Sequence, residues 1–137
     1  MKMHTIGQAA KATGIKVPTI RFYEAEGLLP APARTESNRR LFSDADIDRL
    51  VFVRHARSLG FELGDIRSLL DLADHPDRPC HDADRIARQH LDGVEERLRQ
   101  LRSLKVELTR MIEACAGGAV GQCRVIESLS VKLADGK

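Results

Sequence analysis

Apolar and polar residues in the first third of the chain follow the pattern of two short helices. Residues 5–12 predict the first helix, with Thr5 as its N-cap and Gly14 as the residue that ends it. Residues 17–26 predict the second, because the proline at position 18 is tolerated in the first turn of a helix. Two short helices joined by a glycine turn are typical of a helix-turn-helix.

The next segment changes from helical to extended character. Residues 33–42 are polar and turn-forming in the centre and have short extended flanks, which predicts a small β-hairpin, or wing. Ser43 then offers an N-cap for a third helix, and residues 63–74 predict a fourth. We therefore predict a winged helix-turn-helix domain over residues 1–74.

The clearest periodicity in the chain lies in residues 83–115. Its apolar seam advances in alternating steps of four and three through Ala87, Leu91, Val94, Leu98, Leu101, Lys105, Leu108, Ile112 and Cys115. Such a heptad seam cannot be buried by one helix, so we expect it to pair with the same helix of a second chain. Residues 83–115 are thus predicted to form a dimerisation helix, and residues 75–82, which contain two prolines, a linker loop before it.

The distribution of charged residues along the chain bears weakly on the kind of binding partner. The net charge of +2 is too small to be informative, but residues 11–40 carry six basic and three acidic side chains. This local excess is compatible with contacts to phosphate groups. The chain shows no apolar stretch of signal-peptide or membrane-spanning length, so we expect a cytoplasmic protein without membrane contact.

The three cysteines are the candidate chemistry. Cys115 and Cys123 bracket a glycine-rich loop, and Cys80 stands alone before the seam helix. A short flexible loop lets two thiolates close on a soft metal ion at about 2.3 Å. An odd number of thiols in a reducing compartment favours metal binding or redox sensing over disulfide stapling. We predict a metal-binding loop and tail over residues 116–137.

These segments together resemble the MerR family of transcriptional regulators. The resemblance rests on residues 5–10 (TIGQAA), residues 19–29 (TIRFYEAEGLL), the polar wing, "LGF" with the following "DIR", and the cysteine motif that leads to Leu129. It implies a mainly α fold: a winged helix-turn-helix head, a long dimerisation helix in an antiparallel coiled coil, and a C-terminal metal-binding loop. It also implies a regulator rather than an enzyme. We find no nucleophile with a base at workable spacing, no phosphate loop and no apolar pocket signature.

The resemblance implies a mode of DNA binding and activation. A homodimer would bind a palindromic promoter with a long spacer, and metal binding would make it distort that duplex so that RNA polymerase engages the promoter. Residues carried over to the DNA contact are Pro18, Thr19, Arg21 and Tyr23 on the recognition helix and Arg39 and Arg40 on the wing. Relatives often have Gly-Tyr-Arg where this chain has Asn38-Arg39-Arg40. This departure leaves open whether position 39 makes an aromatic contact or a purely ionic one.

The resemblance also bears on the metal. Sensors of divalent ions have cysteine at the position of Cys80, and that residue is expected to join Cys115 and Cys123 of the other subunit. Zinc, cadmium or lead are the expected effectors, with mercury as a further candidate. Three sulfurs without a fourth ligand favour lead, mercury or cadmium over zinc. His81, His75, a solvent oxygen or nothing would complete the site.

Two other classes remain open on the sequence alone. Copper(I) needs only two thiolates, so a copper sensor would use Cys115 and Cys123 as ligands and would not use Cys80. A thiol redox sensor would instead join Cys115 and Cys123 in a disulfide. The pattern after Leu129 is too weak to predict structure there.

Overall fold

The computed structural model describes residues 2–30, 33–114 and 117–130 and is mainly helical. Its α-helices are α1 (Ile6–Thr13), α2 (Val17–Ala25), α3 (Asp44–Ser58), α4 (Leu63–Ala73), α5 (His81–Ala114) and α6 (Arg124–Ser130). Its strands are β1 (Met3–His4), β2 (Ala33–Arg34) and β3 (Arg40–Ser43). These residues divide into two compact units, the first running to Ile86 and the second starting at Ala87.

The first helix begins and ends where its sequence predicts. The side chain of Thr5 accepts from the backbone N–H of Gln8, and Gln8 accepts from the backbone N–H of Thr5. This reciprocal capping box satisfies two donors that a helix start otherwise leaves unpaired. Gly14 ends α1 at a φ of 74°, a left-handed conformation that glycine adopts without steric cost.

The wing is confirmed, but it belongs to a slightly larger sheet than predicted. Strand β3 pairs antiparallel with β2, with Arg34 opposite Arg40, and antiparallel with β1 on its other side, giving the order β1-β3-β2. Strand β1 has only two residues, too few for an alternating pattern to be visible in the sequence. Asn38, at a φ of 67°, makes the wing turn, a conformation that asparagine tolerates better than most residues.

One hydrophobic core holds the first unit together. Ser43 caps α3 through a capping box with Asp46, as its sequence position predicts. Helices α1 to α4 and strand β3 contribute buried side chains to the core, with the segments joining α1 to α2 and α2 to the wing. The core residues are Ala9, Ile15, Ile20, Tyr23, Leu28, Leu29, Phe42, Leu50, Val53, Ala56, Ile66 and Leu70.

Helix α5 has 34 residues and begins at His81, two residues before the predicted start. Its seam is exposed in the single chain: among the seam residues, Leu91, Leu101 and Ile112 are 53%, 55% and 67% exposed. Beyond it come a 3₁₀ turn at Val120–Gln122 and helix α6. Seven residues are too few for α6 to show a helical period in the sequence, and it was not predicted.

Candidate functional site

The turn between α1 and α2 is held by a buried threonine. The Oγ1 of Thr13 donates to the carbonyl oxygen of Ala9 at 2.9 Å and accepts from the backbone N–H of Ile15 at 3.2 Å. From α3, the Nη1 of Arg54 donates to the carbonyl oxygen of Thr13 at 2.7 Å. These bonds fix the direction in which α2 leaves the turn.

Helix α2 has one buried and one exposed face. Ile20 is fully buried and Tyr23 is 8% exposed, and both pack in the core because they lie three residues apart. Pro18 and Arg21 are exposed and Thr19 is partly buried. In the part of the chain that the structure describes, Arg21 has no hydrogen bond or ion pair, so its guanidinium is available to a ligand.

Two further arginines donate to backbone carbonyls at the C-terminal end of α2 and in the segment directly after it. Arg67 of α4 donates from Nε and Nη2 to the carbonyl oxygen of Glu26, and Nη2 also contacts the carboxylate of Glu26 at 2.8 Å. Arg49 of α3 donates from Nε to the carbonyl oxygen of Leu28 at 3.1 Å. Positive groups are stabilised near the free carbonyls at a helix end. Their spacing in the sequence gives no sign of these long-range bonds.

A basic groove separates the start of α1, helix α2 and the wing. Its walls carry four arginines against one carboxylate, which suits a phosphate backbone. The groove is lined by Thr5, Ile6, Gly7, Arg21, Glu24, Ala25, Arg34, Thr35, Arg39, Arg40 and Leu41. The structure thus brings Arg21, Arg39 and Arg40, three of the predicted DNA-binding residues, to one groove.

The two wing arginines differ in their surroundings. Arg39 is exposed, and its backbone N–H donates to Thr35 Oγ1 at 3.0 Å to close the turn. The side chain of Arg40 is only 7% exposed and lies against the carboxylate of Glu24. Arg40 shares its strand face with the buried Phe42, and this two-residue spacing was the signal in the sequence that could have indicated its burial. The guanidinium of Arg40 thus already has a carboxylate partner in Glu24, and the phosphate contact predicted for it stays a prediction.

Cys80 and Cys123 each stand immediately before a helix. Cys80 is exposed, and its carbonyl oxygen accepts from the backbone N–H of Asp84 in the first turn of α5. Cys123 is partly buried, and its carbonyl oxygen accepts from the backbone N–H of Glu127 in α6.

The third predicted ligand, Cys115, lies outside the described residues. Within residues 2–30, 33–114 and 117–130, no three side chains of His, Cys, Asp or Glu come close enough to hold a metal ion. His81, a candidate fourth ligand, has a side chain 78% exposed, with Nε2 3.6 Å from Asp82. Three cysteine thiolates are chemically suited to a thiophilic metal ion. That Cys80, Cys115 and Cys123 come together in one site stays a prediction.

Two protein-family models match the chain. The model described as "MerR HTH family regulatory protein" covers residues 4–73, and the one described as "MerR, DNA binding" covers residues 47–111. The chain belongs to the MerR family. It is therefore a metal-sensing transcriptional regulator and not an enzyme. Members of this family bind promoter DNA, typically as dimers.

Individual relatives of the MerR-family chain match along nearly its whole length. It is 38% identical to the HTH-type transcriptional regulator ZntR of Escherichia coli K12, over 93% of this chain and 92% of that protein. It is 39% identical to the mercuric resistance operon regulatory protein of Serratia marcescens, over 91% and 86%. The crystal structure of PbrR691 from Ralstonia metallidurans CH34 in complex with lead(II) superimposes with a TM-score of 0.83 at 36% identity, over 93% and 99%.

The resemblance inferred from the sequence and the mainly helical winged helix-turn-helix fold are thereby confirmed. No helix in the described segments combines the length and apolar character that a membrane-spanning segment requires.

Proposed function

We propose that this regulator binds a palindromic promoter as a homodimer and activates transcription when a thiophilic divalent metal binds. Cys80 of one subunit and Cys115 and Cys123 of the other form the metal site. Metal binding changes the dimer so that it distorts the bound duplex, and RNA polymerase then engages the promoter. The output is a deformation of DNA rather than a new base contact. The protein acts in the cytoplasm, where its thiols stay reduced.

Helix α2 and the wing carry the DNA contact in this proposal. The side chains of Arg21 and Arg39 are exposed, have no hydrogen bond or ion pair to other described residues, and line the same groove. Pro18 and Thr19 lie in the first turn of α2, the part of a recognition helix that approaches bases most closely. Tyr23 packs in the core, so only its hydroxyl remains as a phosphate donor.

Helix α5 supplies the dimer contact. Apolar side chains such as Leu98, Leu101 and Leu108 are 43%, 55% and 57% exposed, an arrangement that a second copy of the helix would bury. A straight helix of 34 residues is about 51 Å long. When two such helices pack antiparallel, the start of one lies beside the end of the other. The proposed metal site follows from this, because Cys80 precedes α5 and Cys115 follows it in the sequence.

The observation that carries the choice of a divalent ion is the exposed Cys80 at the start of α5. Two thiolates are enough for copper(I), whereas divalent thiophilic ions take three or four ligands. Zinc, cadmium and lead are the proposed effectors, with mercury as a further candidate. The lead(II) complex of the similar PbrR691 supports this group.

The inter-subunit site has a direct test by subunit mixing. Cys80→Ser protein and Cys115→Ser/Cys123→Ser protein each lack one part of every site, and neither homodimer should bind cadmium tightly. After unfolding and refolding together, each mixed dimer regains one complete site. Random pairing then gives about one quarter of the wild-type stoichiometry. Binding by the Cys80→Ser homodimer alone, or none in the mixture, would overturn the arrangement.

A further inference from the structure

Arg40 occupies an unusual position for an arginine on a DNA-binding wing. Its Nε lies 2.7 Å from a carboxylate oxygen of Glu24 in α2, and its Nη1 lies 3.8 Å from that of Asp46 in α3. Nη1 donates to the carbonyl oxygen of Leu41 at 2.8 Å, and the guanidinium carbon lies 4.5 Å from the ring centroid of Phe42. One buried cation thus contacts the wing strand, the recognition helix and the first turn of α3.

The contact with Glu24 is ionic rather than an aligned hydrogen bond. Nε is close to the carboxylate, yet neither Nε nor Nη2 of Arg40 has an acceptor in line with its N–H in the described structure. The charge of Glu24 therefore matters more than the direction of its lone pairs. If Glu24 lost its charge, the one carboxylate left near this buried guanidinium among the described residues would be Asp46, which is farther away and already bonded to the Ser43 backbone.

This pair is also an ionic connection between the wing and the recognition helix. Among the described residues, Glu24 with Arg40 is the one ion pair that joins α2 to the wing. Strand β2 is exposed at both of its residues and pairs only with β3. The position of the wing beside α2 therefore depends on how β3 is held there.

Arg39 comes directly before β3 and Arg40 is the first residue of that strand, and their side chains have different surroundings. Arg39 faces outward and is free to bind a ligand, whereas Arg40 faces the head. We propose that Arg40 is a positioning residue: held by Glu24, it sets the wing at the distance from α2 at which Arg39 and Arg21 reach the same duplex. This inference rests on the proposed DNA-binding function. It adds an explanation of how Arg21 and Arg39 are kept at the spacing that contact with one duplex requires.

The direction in which one substitution changes the affinity for DNA distinguishes this positioning role from a direct contact between Arg40 and DNA. Glu24→Gln removes a negative charge from a groove that binds phosphate. If Arg40 contacts DNA itself, this change frees it and tightens binding. If Arg40 positions the wing, the change loosens the wing and weakens binding by up to about fivefold, the contribution expected for the Arg39 contact. Glu36→Gln, an exposed carboxylate on the same wing, is the matched control and should tighten binding slightly.

The probe is a fluorescein-labelled palindromic duplex selected from a random pool with the wild-type protein, at fixed ionic strength. Binding is followed by anisotropy, and circular dichroism and the melting temperature verify the fold of each variant. Failure of the wild type to bind any duplex would reject the proposed function. Tighter binding by Glu24→Gln to a duplex that the wild type does bind would reject only the positioning role.

A coupling measurement distinguishes positioning from a general loss of stability. Arg39→Gln and Arg21→Gln are each made in the wild type and in an Arg40→Met background. We expect Arg39→Gln to cost about fivefold in the wild type and nearly nothing in the Arg40→Met protein, while the cost of Arg21→Gln persists. Equal costs of Arg39→Gln in both backgrounds would overturn the proposal. Arg40→Lys, which keeps the charge, serves if Arg40→Met does not fold, and should retain part of the Arg39 contribution.

Discussion

Arg54 in α3 donates a 2.7 Å hydrogen bond to the carbonyl oxygen of Thr13, the last residue of α1. The bond joins the helix that follows the wing to the turn of the helix-turn-helix. It places a positive charge where the carbonyls of α1 lack helical partners, which is a stabilising arrangement. The guanidinium of Arg54 therefore has a structural partner within the first unit.

Arg54→Met should destabilise the fold, because it removes this charged donor but keeps most of the apolar side chain. A hydrogen bond to a charged group contributes about 1.5–3 kcal/mol, and partial exposure lowers the expected loss to about 1 kcal/mol. Urea denaturation followed by circular dichroism measures it. Lys11→Met, which removes an exposed cation from α1, is the control and should change the free energy of unfolding little. An unchanged midpoint for Arg54→Met would show that the bond contributes nothing.

Gly14→Ala should also destabilise the protein, for one conformational and one steric reason. The residue has a φ of 74°, and a new Cβ would lie 3.2 Å from Nη1 of Arg54. We expect a loss of about 1 kcal/mol or more in the free energy of unfolding. Gly64→Ala is the matched control: it lies in α4 with nothing within 4 Å of a new Cβ, and alanine there should stabilise by about 0.5–1 kcal/mol. Thermal melts of the two variants should move in opposite directions.

The proposed dimer can be tested on the seam of α5. Leu101→Glu places a charge among exposed apolar side chains and should convert the dimer to monomer at micromolar concentration. Ser103→Glu introduces the same charge about half a turn away, outside the seam, and should leave the dimer intact. Sedimentation velocity gives the mass of each. Equal masses for Leu101→Glu and the wild type would place the dimer contact elsewhere.

The wing turn offers a test of backbone conformation. Asn38 has a φ of 67°, and its N–H donates to the carbonyl oxygen of Thr35 at 2.9 Å. Asn38→Val should disfavour this turn and weaken DNA binding, because a β-branched residue adopts a positive φ only with strain. Asn38→Gly should bind as well as the wild type. Equal affinity for valine and glycine variants in the anisotropy assay would mean that the turn does not position the wing.

The sequence was most informative where a residue type has one local role. Thr5 and Ser43 as N-caps and Gly14 as the end of α1 could be predicted because capping depends on neighbours in the chain. Strand β1 could not be predicted, since its pairing with β3 joins residues about forty positions apart and leaves no periodic trace. The seam of α5 was visible because its steps of four and three repeat regularly from Ala87 to Cys115.

The candidate site was predicted less completely than the fold. The basic residues of α2 and the wing were identified. The spacing of Arg40 to Phe42 could have indicated that Arg40 is buried, but its partner Glu24 lies sixteen positions away and could not be predicted. The bonds from Arg49, Arg54 and Arg67 to backbone carbonyls are equally long-range. The metal site joins cysteines from distant parts of the sequence, and one of them, Cys115, lies outside the described residues.

The central claim is that a divalent thiophilic metal is bound with the participation of Cys80. A competitive titration of the reduced, metal-free dimer, followed by thiolate-to-metal absorption, tests it with wild type and Cys80→Ser side by side. We predict that zinc, cadmium or lead binds the wild type tightly and that the substitution abolishes this binding. Equal copper(I) binding by both proteins, with weak binding of the divalent ions, would contradict the account and show that Cys80 takes no part in metal binding.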